Sequence, residues 1–175
     1  ELSMVKVVEN DTGNIIRREL CGNLDIFPIP DRSLLKYNYS LKLAGRKATP
    51  LITSRGCPYK CSYCSKQVFE RVFRAYSAEK VVNEIEQCIN QGFSAFYIYD
   101  DVFSLNRNRA MKISQLIRHK KLDIKYRITT RANLVDKELL EELKCSGLVE
   151  VCLGIESGND VVLKANHKGM TVKDN

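Results

Sequence analysis

The chain has 175 residues, of which 44% are hydrophobic, and this size suits one globular domain. No apolar run approaches the roughly 20 residues that a membrane-spanning helix needs, and an odd, partly clustered set of seven cysteines argues against a disulfide framework. The formal charge of +7 would permit nucleic-acid binding, but no basic stripe is interleaved with aromatic residues, so we expect neither nucleic acid nor a membrane as a partner.

Residues 1–49 carry few signals of regular structure, and we expect them to form an extension or linker. Apolar residues on both sides of a turn-rich segment at residues 10–13 predict a β-hairpin. Pro28 and Pro30 then stiffen an extended segment, because proline fixes φ and restrains the residue before it. A short helix or an irregular packing segment is expected at residues 34–41.

From residue 50 onwards strand and helix patterns alternate, which indicates a parallel sheet. The apolar runs predict strands at residues 50–54, 93–99, 124–129 and 148–153. The periodic patterns predict helices at about residues 78–91, 107–119 and 137–145, with a further helix starting near residue 159. Ser77 and Asp136 are placed to cap two of these helices. The order predicts four βα units, the start of a complete or partial (β/α) barrel.

Three cysteines, Cys57, Cys61 and Cys64, follow the first predicted strand with the spacing C-x3-C-x2-C. A cubane 4Fe–4S cluster held by three thiolates keeps one iron open for another ligand. A zinc site would need a fourth ligand, for which His119 and His167 are available, and a redox disulfide is a further alternative. The other four cysteines lie in apolar patterns and are expected to be buried like small hydrophobic residues.

Polar residues follow each of the other predicted strands, where parallel α/β folds bind their ligands. Asp100 and Asp101 follow the second strand and suit a cationic group, although either could instead cap a helix. Arg131 follows the third strand and could pair with a carboxylate or form a salt bridge inside the barrel. Glu156 and Ser157, in a Gly-x-Glu-Ser-Gly segment, follow the fourth.

The cysteine spacing, with Tyr63 directly before the last cysteine, resembles the signature of the radical S-adenosylmethionine (radical SAM) superfamily. The resemblance implies a partial (β/α) barrel of the radical SAM type, with about four of the usual six βα units present. It implies an enzyme in which a 4Fe–4S cluster reductively cleaves SAM to a 5′-deoxyadenosyl radical. The radical chemistry belongs to the cofactors, and the protein supplies binding and orientation.

The resemblance also implies roles for single residues. Cys57, Cys61 and Cys64 would hold the cluster, and Tyr63 would pack near the SAM adenine or shield the cluster from water. Asp100 or Asp101 would bind the SAM amino group, in place of the Gly-Gly-Glu segment that many members carry and this chain lacks. Arg131 would pair with the methionine carboxylate. Glu156 would accept hydrogen bonds from the ribose hydroxyls, and Ser157 would contact the same ligand. No catalytic residue is assigned.

The segment around Pro28 and Pro30 resembles members with a cobalamin-binding domain upstream of the radical core. Residues 1–49 would then be an extension that includes the tail of such a domain, and residues 50–175 the N-terminal part of a truncated radical SAM core. Cobalamin could bind only through a domain outside this chain, because no Asp-x-His-x-x-Gly motif occurs in it. Such enzymes often methylate or rearrange unactivated carbons.

Two alternatives stay open. One is a methylthiotransferase acting on RNA or protein, and the other is a non-enzymatic iron–sulfur or zinc-binding module. The radical SAM interpretation further implies an external electron donor of the flavodoxin or ferredoxin type and a substrate that the sequence does not identify. The start of the chain lacks the pattern of a signal peptide, so we expect a cytoplasmic location. By itself this chain is expected to cleave SAM poorly.

Overall fold

The computed structural model of the chain describes residues 7–9, 14–16, 20–34, 40–65 and 71–175. The first two strands, β1 (Val7–Glu9) and β2 (Asn14–Ile16), pair antiparallel, as the predicted hairpin requires. Its turn at residues 10–13 lies outside the described residues, as do residues 35–39 of the predicted packing segment.

The remaining elements follow in a regular order. They are β3 (Lys42–Leu43), β4 (Arg46–Leu51), β5 (Ser54–Arg55), β6 (Arg74–Ala75), α1 (Ala78–Asn90), β7 (Ala95–Ile98), α2 (Arg107–His119), β8 (Lys125–Thr130), α3 (Lys137–Cys145), β9 (Leu148–Leu153) and α4 (Asp160–Ala165). Short 3-10 turns connect several of them.

The central sheet has the strand order β3-β4-β7-β8-β9. The pairs β4–β7, β7–β8 and β8–β9 are parallel, and β3 adds an antiparallel edge to β4. Each parallel strand is followed by one of the helices α1 to α4, so the four predicted βα units are present. Because all four strands run the same way, their carboxyl ends meet at one edge of the sheet.

Apolar faces of the helices bury one side of the sheet. On α1 the buried side chains recur at the spacing of a helical face, and Phe96 and Ile128 of the sheet belong to the same core. The side chains of Ser77 and Asp136 accept hydrogen bonds from backbone N–H groups in the first turns of α1 and α3, which confirms both predicted caps. Within the described ranges, no helix is both long and apolar enough to cross a membrane.

Two predictions from the sequence were wrong in detail: the bounds of the first parallel strand and the burial of the remaining cysteines. The first parallel strand covers Arg46–Leu51 rather than residues 50–54, because Thr53 and Ser54 leave the sheet and bind an aspartate of the next loop. Of the four cysteines outside the C-x3-C-x2-C group, only Cys88 is buried as expected. Cys21 and Cys152 are half-buried, and Cys145, at the end of α3, is exposed. Cys145 is the last residue of α3.

Part of the N-terminal extension packs against the barrel units. The Arg32 guanidinium forms an ion pair with Glu84 on α1 at 2.7 Å and donates to Thr49 Oγ1 and to the carbonyl oxygen of Pro50 on β4, each at 3.0 Å. Asp25 accepts a hydrogen bond from the backbone N–H of Ser77 at the start of α1. Most of these contacts are partly buried, and they fix residues 25–32 to the first βα unit.

The turn from α3 into β9 depends on a close approach at Gly147. Its φ of +111° lies outside the range that side chains favour, and a Cβ atom there would lie 2.2 Å from the carbonyl oxygen of Ile124. Gly92, at the end of α1, also has a positive φ of +85°, but a Cβ there would meet no atom within 4 Å.

We expect Gly147→Ala to lower the free energy of unfolding by about 2–4 kcal/mol, through backbone strain plus the clash with Ile124. Gly92→Ala is the matched control and should cost about 1 kcal/mol, since it suffers only the strain. Urea-induced unfolding followed by circular dichroism measures both values. Equal losses in the two variants would show that the close approach to Ile124 contributes nothing.

Candidate functional site

The predicted site residues gather at the carboxyl edge of the parallel strands. The loop after β4 carries the three cysteines, and the loops after β7, β8 and β9 carry the aspartates, the arginine and the glutamate. Side-chain contacts join these loops directly, as described below. The structure therefore brings together residues as far apart in the sequence as Cys57 and Glu156.

The start of the cysteine loop requires a glycine. Gly56 has a φ of +82°, and a Cβ atom there would lie 2.0 Å from the carbonyl oxygen of Val72. The returning strand β6 pairs with β5 and so brings Val72 against Gly56. Any side chain at position 56 would push the two arms of the loop apart.

Asp100 anchors the exit from β4. Its carboxylate is almost completely buried and accepts hydrogen bonds from the backbone N–H groups of Thr53 and Ser54, at 2.6 and 2.9 Å, and from both of their hydroxyl groups. Burial raises the pKa of Asp100 above its ordinary value, and the hydrogen bonds from Thr53 and Ser54 oppose that shift. Its two oxygens are thus engaged by the strand end that leads into the cysteine loop.

A buried arginine completes this anchor. Arg109, on α2, donates through Nη2 to the carbonyl oxygen of Thr53 at 2.7 Å and through Nε to that of Tyr76 at 2.6 Å. Its positive charge acts on the Asp100 carboxylate, which opposes the rise in the pKa of Asp100. Asp101 points to a different part of the loop, where its Oδ2 accepts from the backbone N–H of Gly56 at 3.2 Å. The two adjacent aspartates therefore bind successive parts of the same segment: Asp100 binds Thr53 and Ser54, and Asp101 binds Gly56.

Arg131 lies against the cysteine loop. Its side chain is buried, its guanidinium carbon lies 3.7 Å from the centre of the Tyr59 ring, and Nη1 lies 3.8 Å from the sulfur of Cys61. Nη2 donates to the backbone carbonyl of Lys168. The arginine thus joins the cysteine loop to the segment after α4, in addition to any role toward a carboxylate.

Glu156 lies at the end of β9 and points back toward the cysteine loop. Its Oε1 is 3.1 Å from Nζ of Lys168, and the same Nζ is 3.2 Å from the hydroxyl oxygen of Tyr63. Burial raises the pKa of Tyr63 above its ordinary value, and the nearby Cys61 and Glu156 raise it further. The hydroxyl therefore keeps its proton. Tyr63, Glu156, Ser157 and Lys168 line a pocket of about 150 Å³.

Lys168, like Arg109, belongs to this site without having been predicted from the sequence. Its side chain is 4% exposed, although an isolated lysine after a short helix normally points into solvent. Its two partners lie 12 and 105 positions away in the sequence. Local patterns carry no signal of such a pairing. The only hint is its position directly before Gly169, in a turn that returns toward the strand ends.

The three cysteines are free thiols that fit an iron–sulfur cluster by their donor chemistry. Cys61 is buried, whereas Cys57 and Cys64 are half-buried. Burial raises the pKa of the Cys57 thiol, so a metal that binds there has to displace a proton. Within the described ranges, no three His, Cys, Asp or Glu side chains converge on one point as a single metal ion requires. The thiolates of a cubane cluster bind separate iron atoms.

The two histidines considered as a fourth zinc ligand lie in different places. His119 is exposed at the end of α2, a helix that runs back toward the opposite edge of the sheet. His167 is also exposed, but its neighbour Asn166 accepts a hydrogen bond from the backbone N–H of Ser62 in the cysteine loop at 3.0 Å. Of the two histidines, His167 is the one near the cysteines.

Comparison with known proteins identifies relatives of this chain. The family model of the radical SAM superfamily matches residues 51–175. The uncharacterized methyltransferase PH0819 of Pyrococcus horikoshii is 34% identical over 156 residues, which cover 88% of this chain and 34% of that protein. The anaerobic magnesium-protoporphyrin IX monomethyl ester cyclase of Cereibacter sphaeroides is 33% identical over 152 residues, 83% of this chain and 25% of that protein.

A solved structure shares the fold. OxsB, a cobalamin-dependent S-adenosylmethionine radical enzyme with aqua-cobalamin and S-adenosylmethionine bound, superposes with a TM-score of 0.78 over 95% of this chain and 26% of that one, at 22% identity. This superposition confirms the predicted partial (β/α) barrel. The chain spans only about a quarter to a third of the length of the proteins it matches.

We expect Asp100→Ala to lower the free energy of unfolding by roughly 3 kcal/mol or more, because it leaves buried N–H groups of Thr53 and Ser54 without acceptors. Asp100→Asn should cost less than Asp100→Ala, since the amide oxygen can still accept from both N–H groups. Asp123→Ala, which removes an exposed ion pair with Arg46, is the control and should cost less than about 1 kcal/mol. Denaturant unfolding tests the ranking; Asp100→Ala as mild as the control would contradict it.

Proposed function

The chain belongs to the radical SAM superfamily, and from that membership we propose that Cys57, Cys61 and Cys64 hold a 4Fe–4S cluster whose open iron binds SAM. One observation carries the proposal: three free thiols share one loop at the carboxyl edge of the strands. Polar groups from the loops after β7 and β8 and from the segment after α4 contact that same loop. A cluster and SAM bound there would supply the electron transfer that cleaves SAM to a 5′-deoxyadenosyl radical.

The residues around the loop have separate tasks in this proposal. Glu156 accepts hydrogen bonds from the ribose hydroxyls, Ser157 contacts the same sugar, and Tyr63 covers the adenine side. Glu156 is suited to its task because its side chain is 42% exposed while Lys168 holds one of its oxygens. Carboxylates accept hydrogen bonds and do not donate them when ionised, which matches a pair of hydroxyl donors.

The two aspartates have different roles in this proposal. We assign the amino group of SAM to Asp101, because the carboxylate of Asp100 already accepts four hydrogen bonds from Thr53 and Ser54. Asp100 then fixes the position of the cysteine loop rather than touching the ligand. Arg131 keeps its proposed role toward the methionine carboxylate, and its guanidinium also places a positive charge beside the sulfur of Cys61.

The proposed reaction of the whole protein is a cobalamin-dependent methylation. Support comes from two relatives: PH0819, named as a methyltransferase, and OxsB, whose structure contains cobalamin. Cobalamin would bind an upstream domain, with residues 1–49 as its tail and residues 50–175 as the start of the radical core. The ion pair between Arg32 and Glu84 would hold that tail against the core. A flavodoxin-type or ferredoxin-type donor would supply the electron, in the reducing cytoplasm.

Anaerobic reconstitution with iron and sulfide, followed by electron paramagnetic resonance, tests the cluster and its open iron. We expect about four irons per chain, a reduced-cluster signal, and a shift of that signal when SAM is added. Cys57→Ala, Cys61→Ala and Cys64→Ala should each abolish the signal, because each thiolate holds a separate iron.

Cys145→Ala is the matched control, since it removes an exposed cysteine far from the loop, and it should leave iron content and signal unchanged. Stoichiometric zinc with no cluster signal would contradict the proposal. Equal loss of signal in Cys145→Ala and in the three loop variants would contradict the assignment of the ligands.

A further inference from the structure

We propose that Lys168 is a positioning residue of the SAM site, which holds the Glu156 carboxylate and ties it to Tyr63 in the cysteine loop. The inference rests on the proposed function of the site and adds a residue to it. No sequence motif pointed to Lys168. Its side chain is buried, and residues of three loops meet at its side chain and backbone.

The ion pair between Lys168 and Glu156 is unequal in exposure. The lysine side chain is 4% exposed and the glutamate side chain is 42% exposed, with 3.1 Å between Nζ and Oε1. A buried ammonium group needs a charged partner, because desolvation without one is costly. Glu156 therefore neutralises Lys168, and Lys168 in turn fixes one oxygen of a carboxylate whose surroundings are open to a ligand.

The backbone at Glu156 is unusual. Its φ of +67° lies in the left-handed region, which residues other than glycine rarely adopt. Such conformations persist where surrounding contacts hold them, and they cluster at ligand-binding sites. Lys168 contacts the carboxylate at the end of this side chain, and we expect that contact to help keep the carboxylate in place.

The segment that carries Lys168 also binds the cysteine loop. The Lys168 ammonium lies 3.2 Å from the Tyr63 hydroxyl oxygen, and Asn166 accepts from the backbone N–H of Ser62 at 3.0 Å. Arg131, which lies 3.8 Å from the sulfur of Cys61, donates to the backbone carbonyl of Lys168. The end of β9 and the cysteine loop are therefore connected through one residue.

The strand end leaves space for this ion pair. A Cβ atom at Gly154 would lie 3.0 Å from Oε1 of Glu156 and 3.0 Å from Nζ of Lys168. The two charged groups thus lie directly over the bare backbone of Gly154. Gly154→Ala would crowd both groups without removing either charge, which makes it a second way to disturb the pair.

The experiment measures SAM affinity and cluster content together. The reconstituted protein is titrated with radiolabelled SAM in anaerobic equilibrium dialysis, and iron is counted in the same samples. Lys168→Met should weaken SAM binding on the order of ten-fold, the loss expected when a charged group loses one hydrogen-bonded partner. Its iron content should equal that of the wild type, whereas a purely structural role would lower the iron content as well.

Two further variants sharpen the test. If Lys168 acts through Glu156, the double variant Lys168→Met/Glu156→Gln should bind SAM no more weakly than Glu156→Gln alone. Lys164→Met removes an exposed cation from the neighbouring helix α4 and should bind SAM like the wild type. Should Lys168→Met lose its fold, Gly154→Ala provides the same test, with weaker SAM binding and unchanged iron content expected.

Three results would overturn the proposal in distinguishable ways. Lys168→Met that binds SAM as tightly as the wild type would exclude a positioning role. Losses that simply add in the double variant would show that Lys168 does not act through Glu156. A wild-type protein that assembles its cluster and still fails to bind SAM would overturn the proposed function itself, and this assignment with it.

Discussion

The buried carboxylate of Asp100 joins the ends of β4 and β7, and the candidate site depends on that junction. Four donors from Thr53 and Ser54 converge on it, so the chain leaves the sheet at a fixed point and direction. Gly56 comes two residues after Ser54 and lies against the carbonyl oxygen of Val72. The first cysteine, Cys57, is the next residue. The loop that carries the three cysteines is long and would otherwise be free to move. Anchoring its first residues to a neighbouring strand limits where the thiolates can lie.

Charged groups buried at this edge of the sheet are costly to fold, which makes their concentration here informative. Asp100, Arg109, Arg131 and Lys168 are all buried charged residues, and each contacts the cysteine loop, the strand that enters it, or a residue that does. A fold stabilised only by its core would not need them, because apolar residues of similar size often stabilise as well or better. Buried, paired charges around a concave edge are instead typical of ligand sites. Together they connect all four strand-end loops.

Local signals predicted the helices well, because caps and periodicity are encoded within a few residues: Ser77 and Asp136 start α1 and α3 where expected. The first strand was predicted too late in the sequence, because the apolar run at residue 50 resembles a strand centre. In the structure the strand ends at Leu51, and the residues after it form hydrogen bonds with Asp100. The cysteine spacing located the loop, but the sequence could not separate the tasks of Asp100 and Asp101, since only the fold shows which one faces Thr53. Lys168 escaped notice because its burial depends on partners from two other loops.

The central claim is that SAM itself coordinates the open iron of a cluster held by this loop. Electron–nuclear double resonance on the reduced, reconstituted protein tests it most directly, with SAM labelled by ¹⁵N in its amino group and by ¹⁷O in its carboxylate. Direct coordination predicts hyperfine coupling from both labels. With unlabelled SAM the ¹⁷O coupling should disappear and the ¹⁵N coupling should be replaced by that of ¹⁴N. A bound cluster and bound SAM with no coupling from either label would contradict the account.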